Sequence, residues 1–177
     1  MRDRETLLTR RPSGVPDRSG ESPKATITKT YGSGNDADYV IGNSDNDYLL
    51  NGGAGNDDLK VGPGSGAVTI HGGTGNDTVA ARQGGTLLDS DGSWLYGDDG
   101  NDSINAASLW SDEVHAFGGT GNDTIYANNF YGPVTLAGGA GNDHYDIKWE
   151  NPYSYGIYPI TLVEDAAAGK DTIRLVI

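Results

Sequence analysis

The chain contains no cysteine among its 177 residues, and its apolar residues amount to only 35%. Without cysteine, neither a disulfide nor a thiolate metal site can hold the fold. The apolar share is below the ~45–50% of typical domains, a figure that also counts glycine. No stretch approaches the ~20 apolar residues of a membrane span. A conventional core would be thin, so a bound metal ion is the first candidate for additional stabilisation.

Basic residues are also scarce. Lys and Arg number 12 against 25 Asp and Glu, which gives a formal net charge of −13. This charge disfavours DNA, RNA and anionic membranes as partners, because all three are negative. It favours cations.

The basic residues are concentrated at the start of the chain, where residues 1–30 hold seven of the 12. This segment also contains Pro12, Pro16 and Pro23 and shows no helical or alternating period. It is predicted to be a disordered basic leader or linker, followed by one domain over 31–177. Leu7 and Leu8 are not followed by the ~7–15 apolar residues of a secretory signal.

One short motif recurs through the rest of the chain. Its five clear copies are GGAGNDDL (52–59), GGTGNDTV (72–79), GDDGNDSI (97–104), GGTGNDTI (118–125) and GGAGNDHY (138–145). Their aspartates are Asp57, Asp77, Asp102, Asp123 and Asp143. Weaker copies flank them, and we expect these to place Asp38, Asp47 and Asp171 at the equivalent position.

Apolar residues alternate after each motif and in short segments between motifs, such as AVTI (67–70) and PVTL (133–136). Alternation indicates strands with one face inward. Two short strands in a unit of about 20 residues predict a parallel β-solenoid. The unit from Asp77 to Asp102 is longer, and its surplus is predicted to protrude around residues 87–94, since insertions in repeats map to loops.

The motif residues suit a hard cation. Equivalent aspartates of successive coils would lie about 4.8 Å apart and repel one another unless neutralised. Glycines permit the positive φ angles of a tight turn and let carbonyl groups approach a common centre. A cage of carboxylate and carbonyl oxygens favours Ca²⁺ over Mg²⁺, which demands octahedral geometry. Zinc is disfavoured without cysteine or clustered histidine.

The pattern G-G-x-G-x-D-x-U-x resembles the RTX, or haemolysin-type, calcium-binding nonapeptide repeat. The resemblance covers residues 33–177 and implies a right-handed parallel β-roll. In the family, each ion lies between turns of neighbouring coils and is held by aspartates and backbone carbonyls. Here mainly one half-turn of each coil keeps the motif, so we expect one row of about four or more Ca²⁺ sites. In GDDGNDSI, Asp98 replaces the second glycine.

Carried onto this chain, the resemblance implies a set of calcium ligands from the five turns and the flanking copies. They are Gly52, Gly53, Ala54, Gly55, Asp57, Gly72, Gly73, Thr74, Gly75, Asp77, Gly97, Asp99, Gly100, Asp102, Gly118, Gly119, Thr120, Gly121, Asp123, Gly138, Gly139, Ala140, Gly141 and Asp143, with Asp38, Asp47 and Asp171 at the ends.

The resemblance also implies a secreted, extracellular protein, exported unfolded by type I secretion machinery and folded by external calcium. We expect a role in secretion, adhesion or surface structure, with no catalytic residues in this chain. A protein or carbohydrate partner is left open. The aromatic cluster Trp149, Tyr153, Tyr155 and Tyr158 is expected to cap the last coil, next to a terminal TIRLVI that is consistent with a secretion signal.

Two alternatives remain from the sequence. Instead of a calcium-binding module with a role of its own, the chain could form the C-terminal RTX part of a secreted enzyme, such as a protease, lipase or epimerase, or a calcium-dependent ice-binding solenoid. The ice-binding alternative depends on an array of Thr and Asn side chains that project from the turns, and Ala54, Asp99 and Ala140 interrupt the Thr positions. EF-hands and nucleotide-binding glycine loops are excluded, because the required helices are not predicted.

Overall fold

The computed structural model of the protein describes residues 7–9, 25–40, 46–62, 66–81, 92–106, 113–128, 132–148, 158–164 and 169–176. All the regular secondary structure in these ranges is β-strand. In chain order, the strands are β1 (Leu7–Thr9), β2 (Ala25–Thr30), β3 (Ala37–Val40), β4 (Asn46–Ala54), β5 (Asp58–Val61), β6 (Val68–Thr74), β7 (Thr78–Ala81), β8 (Ser93–Asp99), β9 (Ser103–Asn105), β10 (Val114–Thr120), β11 (Thr124–Asn128), β12 (Val134–Ala140), β13 (His144–Lys148), β14 (Ile160–Leu162) and β15 (Thr172–Val176).

The strands form two sheets, and from β2 onward the chain alternates between them. The first sheet has the order β1-β2-β4-β6-β8-β10-β12-β14, and the second has the order β3-β5-β7-β9-β11-β13-β15. All neighbours are parallel except β1 and β2, which are antiparallel. Each coil thus adds one strand to each sheet. The predicted all-β parallel solenoid is confirmed, and its right-handed winding stays a prediction.

The core is a narrow file of side chains between the two sheets. Along β6, β8, β10 and β12, buried and partly exposed residues alternate, as the sequence pattern predicted. Leu50, Leu59, Ile70, Ile104 and Ile125 are completely buried. Each coil contributes few apolar side chains, but successive coils stack them into one continuous cluster.

The long coil differs from the prediction in detail. Ser93 and Trp94 belong to β8, where they pair in register with Val68 and Thr69. The surplus residues therefore fall between β7 and β8, before Ser93, because the strand register resumes there. Residues 82–91 of this connection lie outside the described residues.

The first coil also begins earlier than the sequence indicated. Strand β2 lies inside the predicted leader, because Ala25–Thr30 pairs in parallel with Asn46–Asn51 of β4. Of the expected aromatic cap, only Tyr158 is among the described residues. The division into a leader and a repeat domain stays a prediction.

Candidate metal centre

The motif turns connect each strand of the first sheet to the next strand of the second, and two of their positions have the positive φ angles that favour glycine. The second position has φ of +96° to +114° at Gly53, Gly73, Gly119 and Gly139, and the fourth has φ of +124° to +144° at Gly55, Gly75, Gly100, Gly121 and Gly141. Residues with a Cβ rarely adopt these angles. The sequence prediction of positive-φ turns is therefore confirmed at both positions.

The first glycine of each motif is needed for a different reason. A Cβ atom at Gly72 would lie 2.5 Å from Asp77 Oδ2 and 2.6 Å from the carbonyl oxygen of Gly97. The same two kinds of atom surround a Cβ built at the first glycine of three other turns, Gly52, Gly97 and Gly118. A carboxylate oxygen of one coil and a carbonyl oxygen of the next coil thus converge beside the first glycine.

The five motif aspartates form a buried file, with exposed fractions of 1–3%. Each Oδ1 accepts a hydrogen bond from the backbone N–H of the aspartate one coil earlier. Asp57 N donates to Asp77 Oδ1 at 2.7 Å, and Asp123 N donates to Asp143 Oδ1 at 2.8 Å. Asp36 N donates to Asp57 Oδ1 in the same way at the start of the file. This file holds the carboxylates in one row along the solenoid.

The second carboxylate oxygen of each of these aspartates has no hydrogen-bond partner. The five atoms are Oδ2 of Asp57, Asp77, Asp102, Asp123 and Asp143. Buried polar atoms are nearly always satisfied, so five orphaned oxygens at one repeated position require an explanation. They are carboxylate oxygens, they lie next to backbone carbonyls, and they fit a cation that takes oxygen ligands.

The electrostatics of the file agree with that fit. Burial raises the pKa of Asp102 to about 7, opposed by the hydrogen bond from Asp77 N and increased by the charges of Asp123 and Asp77. Burial likewise raises the pKa of Asp123 to about 6. The pKa values of Asp57, Asp77 and Asp143 are also raised, with burial as the main cause. Without a compensating positive charge, ionising this file opposes folding.

A second file runs beside the first, and sequence reasoning missed it. Asn76 N donates to Asn56 Oδ1 at 2.8 Å, and Asn101 N donates to Asn76 Oδ1 at 2.7 Å. The same bond recurs from Asn35 to Lys170 along the solenoid. Each asparagine accepts from the following coil, whereas each aspartate accepts from the preceding coil. The available signal is the asparagine before every motif aspartate, which the sequence analysis uses only in the ice-binding alternative, as an outward projection.

The flanking aspartates occupy three different environments. Asp171 continues the file, because its Oδ1 accepts a hydrogen bond from Asp143 N at 2.8 Å. Asp38 does not, since it pairs in register with Leu59 and accepts a hydrogen bond from Lys29 Nζ at 2.6 Å. The motif position of that coil belongs to Asp36 instead. The prediction for Asp38 is wrong by two residues, because SGND and not DADY matches the turn.

Asp47 was also predicted at the equivalent position, and this is wrong as well. It lies at the start of β4, on the opposite side of the coil, where its Oδ1 accepts a hydrogen bond from Ala67 N at 3.1 Å. Asp47 thus accepts a hydrogen bond from the backbone of the next coil, but no file forms there. Ala67, at the equivalent position of the next coil, has no carboxylate to continue it.

The turn at 97–100 is the irregular one. Asp98 has φ of +71° and is the only non-glycine residue with positive φ in the described part of the chain. Its Oδ2 lies 3.1 Å from His71 Nδ1 on the outer face of the first sheet. His71 stacks on Tyr96 with a ring-centroid distance of 4.4 Å. The outer face thus holds the side chain that departs from the motif.

Each coil contributes one carboxylate to the file. Among the described residues, no three His, Asp or Glu side chains converge on one point to hold a metal ion. A cation in this row would therefore take most of its ligands from backbone carbonyls.

In the same part of the chain, no helix meets the length and apolarity of a membrane span.

Comparison with known families gives a match that covers most of the repeats. The model that describes the RTX calcium-binding nonapeptide repeat in four copies matches residues 32–65, 51–88, 90–108, 115–129 and 131–146, more than half of the chain. No curated protein and no solved structure matches the chain.

Proposed function

Because the chain belongs to the family of RTX calcium-binding repeat proteins, we propose that it is a secreted module whose solenoid forms when external Ca²⁺ fills one row of sites. The observation that carries the proposal is the file of five buried aspartates whose Oδ2 atoms have no partner. A row of cations supplies both the missing ligand and the missing positive charge.

The proposed ligands come from neighbouring turns. Between the turns of Asp57 and Asp77, the ion would take both carboxylates, the carbonyls of Gly52 and Ala54 from one turn, and those of Gly73 and Gly75 from the other. The same pattern repeats at the three following pairs of turns, which gives four sites. Asp36 and Asp171 would extend the row at its two ends, because they bond to the file in the same way.

The energetics support folding on binding. At a free calcium concentration ten times Kd, each site adds ~1.4 kcal/mol to stability, so four independent sites add ~6 kcal/mol. This is comparable to the whole stability of a typical domain, ~5–15 kcal/mol. A chain with 35% apolar residues and a buried acidic file needs such a contribution.

The required calcium concentration points to the outside of the cell. Extracellular calcium modules bind with Kd of ~10⁻⁴–10⁻³ M. The chain would then stay unfolded in the cytoplasm, pass through type I secretion machinery, and fold outside. A role in secretion, adhesion or surface structure follows, without catalysis by this chain. As part of a larger RTX enzyme it would serve the same folding role, with the activity located elsewhere.

A calcium titration followed by circular dichroism and calorimetry tests the proposal. We expect β-structure to appear between ~10⁻⁴ and 10⁻³ M Ca²⁺, with about four bound ions per chain, and no equivalent change with Mg²⁺. Calcium binding without any gain in β-structure would contradict folding on binding, and the absence of binding would contradict the function itself.

Two neighbouring carboxylates give a matched pair of variants. Asp57→Asn keeps an oxygen for the Asp36 N–H but removes the charge from the file, whereas Asp58→Asn changes an outward residue that pairs with Lys60. We expect Asp57→Asn to lower calcium affinity about tenfold, equivalent to ~1.4 kcal/mol, and Asp58→Asn to leave it unchanged. Equal effects would remove Asp57 from the proposed ligands.

A further inference from the structure

The first clear motif copy differs from the others in the residue that precedes its first glycine. That residue is Asn51, and Asn51–Gly52 is the one Asn–Gly pair in the whole sequence. The later copies carry other residues at this position, namely His71, Tyr96, Phe117 and Ala137. In an Asn–Gly pair, the backbone nitrogen of glycine can attack the side-chain carbonyl carbon of asparagine, because glycine has no Cβ to hinder the approach. The first motif copy therefore carries a chemically labile bond.

The glycine of this pair is fixed by the candidate metal centre. A Cβ atom at position 52 would lie 2.2 Å from the carbonyl oxygen of Gly72 and 2.5 Å from Asp57 Oδ2. Any larger residue at this position would fill the space between the two oxygens. The site requires glycine at position 52, so the labile pair is determined by the residue before it, Asn51.

The folded solenoid holds Asn51 in a geometry that disfavours this attack. Asn51 lies in β4, between Thr30 of β2 and His71 of β6, and pairs in register with both. Its carbonyl oxygen accepts a hydrogen bond from Tyr31 N at 2.9 Å, and its Nδ2 donates to Thr30 Oγ1 at 3.3 Å. Ring closure requires ψ of Asn51 to rotate away from the extended value of a strand, so that Gly52 N can reach Cγ. The reaction therefore requires at least local unfolding of β4.

We propose that Asn51 is a site of spontaneous deamidation, open while the chain is unfolded and closed once calcium folds the solenoid. Gly52 N forms a bond to Cγ of Asn51, and the side-chain nitrogen leaves as ammonia together with the Gly52 amide proton. Water then opens the resulting succinimide to aspartate or to isoaspartate, without any oxidation or reduction. This inference rests on the proposed function, since calcium determines whether β4 is formed.

The isoaspartate product is damaging at this position. Its main chain runs through the former side chain, which inserts a methylene group before Gly52. The carbonyl group that accepts from Tyr31 N becomes a carboxylate outside the main chain. The insertion shifts Gly52 and Gly53 relative to β6, where Gly53 pairs with Gly73. A chain that stays unfolded for long thus loses the ability to form its first calcium site, whereas the aspartate product keeps the normal backbone.

Peptide mapping by mass spectrometry, on the chain aged with a chelator or with millimolar Ca²⁺, tests the proposal. Without calcium, Asn51 should deamidate faster than any other asparagine, and with calcium its deamidation should be slower by a factor of roughly ten or more. Faster conversion of another asparagine would overturn the proposal. Circular dichroism on the same samples separates the two proposals. Equal rates in a chain that calcium has folded overturn the protection alone, whereas a chain that gains no β-structure in calcium contradicts the proposed function.

Two variants sharpen the test. Ala137→Asn places asparagine before the first glycine of the last clear copy, and we expect a second labile site there with the same protection by calcium. Asn51→Asp carries the charge of the product without the inserted methylene, so it is the matched control for aged protein enriched in isoaspartate. Freshly prepared Asn51→Asp should bind calcium like the parent chain, whereas the isoaspartate form should bind about tenfold more weakly at one site. Equal losses in both would show that the backbone insertion is not the cause.

Discussion

The two sides of the solenoid connect their strands by different rules. On the motif side, three residues separate the strands in each of five turns, for example between Ala54 and Asp58 or between Thr120 and Thr124. On the opposite side, the connections from β5 onward range from five residues, between Asn128 and Val134, to eleven, between Ala81 and Ser93. From β4 to β13, the motif side has a fixed length, and the opposite side takes all the variation in coil length.

The hydrogen-bond files explain the fixed side. Every motif turn is joined to its neighbours by an asparagine bond in one direction and an aspartate bond in the other, for example through Asn76 and Asp77. An extra residue would displace both side chains from their partners. On the opposite side, the bond from Ala67 N to Asp47 Oδ1 is a single step of the same kind. The motif turns and the connections of variable length therefore occupy separate edges of the molecule.

The largest effect is expected from inserting one residue on the motif side. One alanine inserted between Gly75 and Asn76 should lower the free energy of unfolding in calcium by more than ~3 kcal/mol, because it interrupts both files and the strand register. One alanine inserted between Gly64 and Ser65, on the variable side, should cost less than ~1 kcal/mol. Urea denaturation in millimolar calcium measures both, and similar losses would show that the two sides do not differ.

The next effect tests the crowded position within a turn. Gly72→Ala should destabilise the calcium-bound protein by ~2–3 kcal/mol, because the new methyl group would meet Asp77 Oδ2 and the carbonyl of Gly97. Gly32→Ala is the control, since nothing lies within 4 Å of a Cβ there and Gly32 has no positive φ. Thermal unfolding in calcium should separate the two variants, and an equal shift in Tm would contradict the oxygen-lined site.

A smaller effect follows from the raised pKa values. Burial raises the pKa of Asp102 to about 7 and that of Asp123 to about 6, from an ordinary 3.8. At a pH between 3.8 and these raised values, the folded chain binds protons that the unfolded chain has released. The folded state is therefore more stable at low pH, and this stability is lost as the pH rises to about 7. Calcium-free protein should therefore gain β-structure on acidification from pH 8 to pH 5, which circular dichroism measures.

Calcium should cancel this pH dependence on the motif side. With the ions bound, the carboxylates are compensated, so stability should no longer fall between pH 5 and pH 8. If calcium-free protein loses β-structure on acidification, the buried file is not the main obstacle to folding.

The parts of the fold that the sequence predicted are those that depend on repetition. Five copies of one string and the alternation of residues such as Val68 and Ile70 were sufficient for the solenoid, its register and its aspartate file. The misplaced aspartates lie where the repetition weakens. Asp38 and Asp47 match only part of the motif, and a shift of two residues is decided by strand pairing, which involves residues far apart in the chain.

The asparagine file could not be predicted in the same way. The side chain of Asn56 could either project into solvent or accept a hydrogen bond from Asn76 N. Which of these occurs depends on the position of the next coil along the solenoid axis.

The smallest effect concerns the irregular turn. Asp98 holds φ of +71° at a position where the other four motif turns have glycine, and its charge raises the pKa values of Asp77 and Asp102. Asp98→Gly should stabilise the calcium-bound protein by ~0.5–1 kcal/mol, because glycine adopts this angle without steric cost and the nearby negative charge is removed. The contact with His71 at 3.1 Å opposes the gain, but both side chains are more than one-third exposed, so that pair contributes little. Urea denaturation of Asp98→Gly and His71→Ala separates the contribution of the turn geometry from that of the Asp98–His71 contact. A loss of stability in Asp98→Gly that matches the loss in His71→Ala would show that the outer pair, and not the turn geometry, determines the residue at this position.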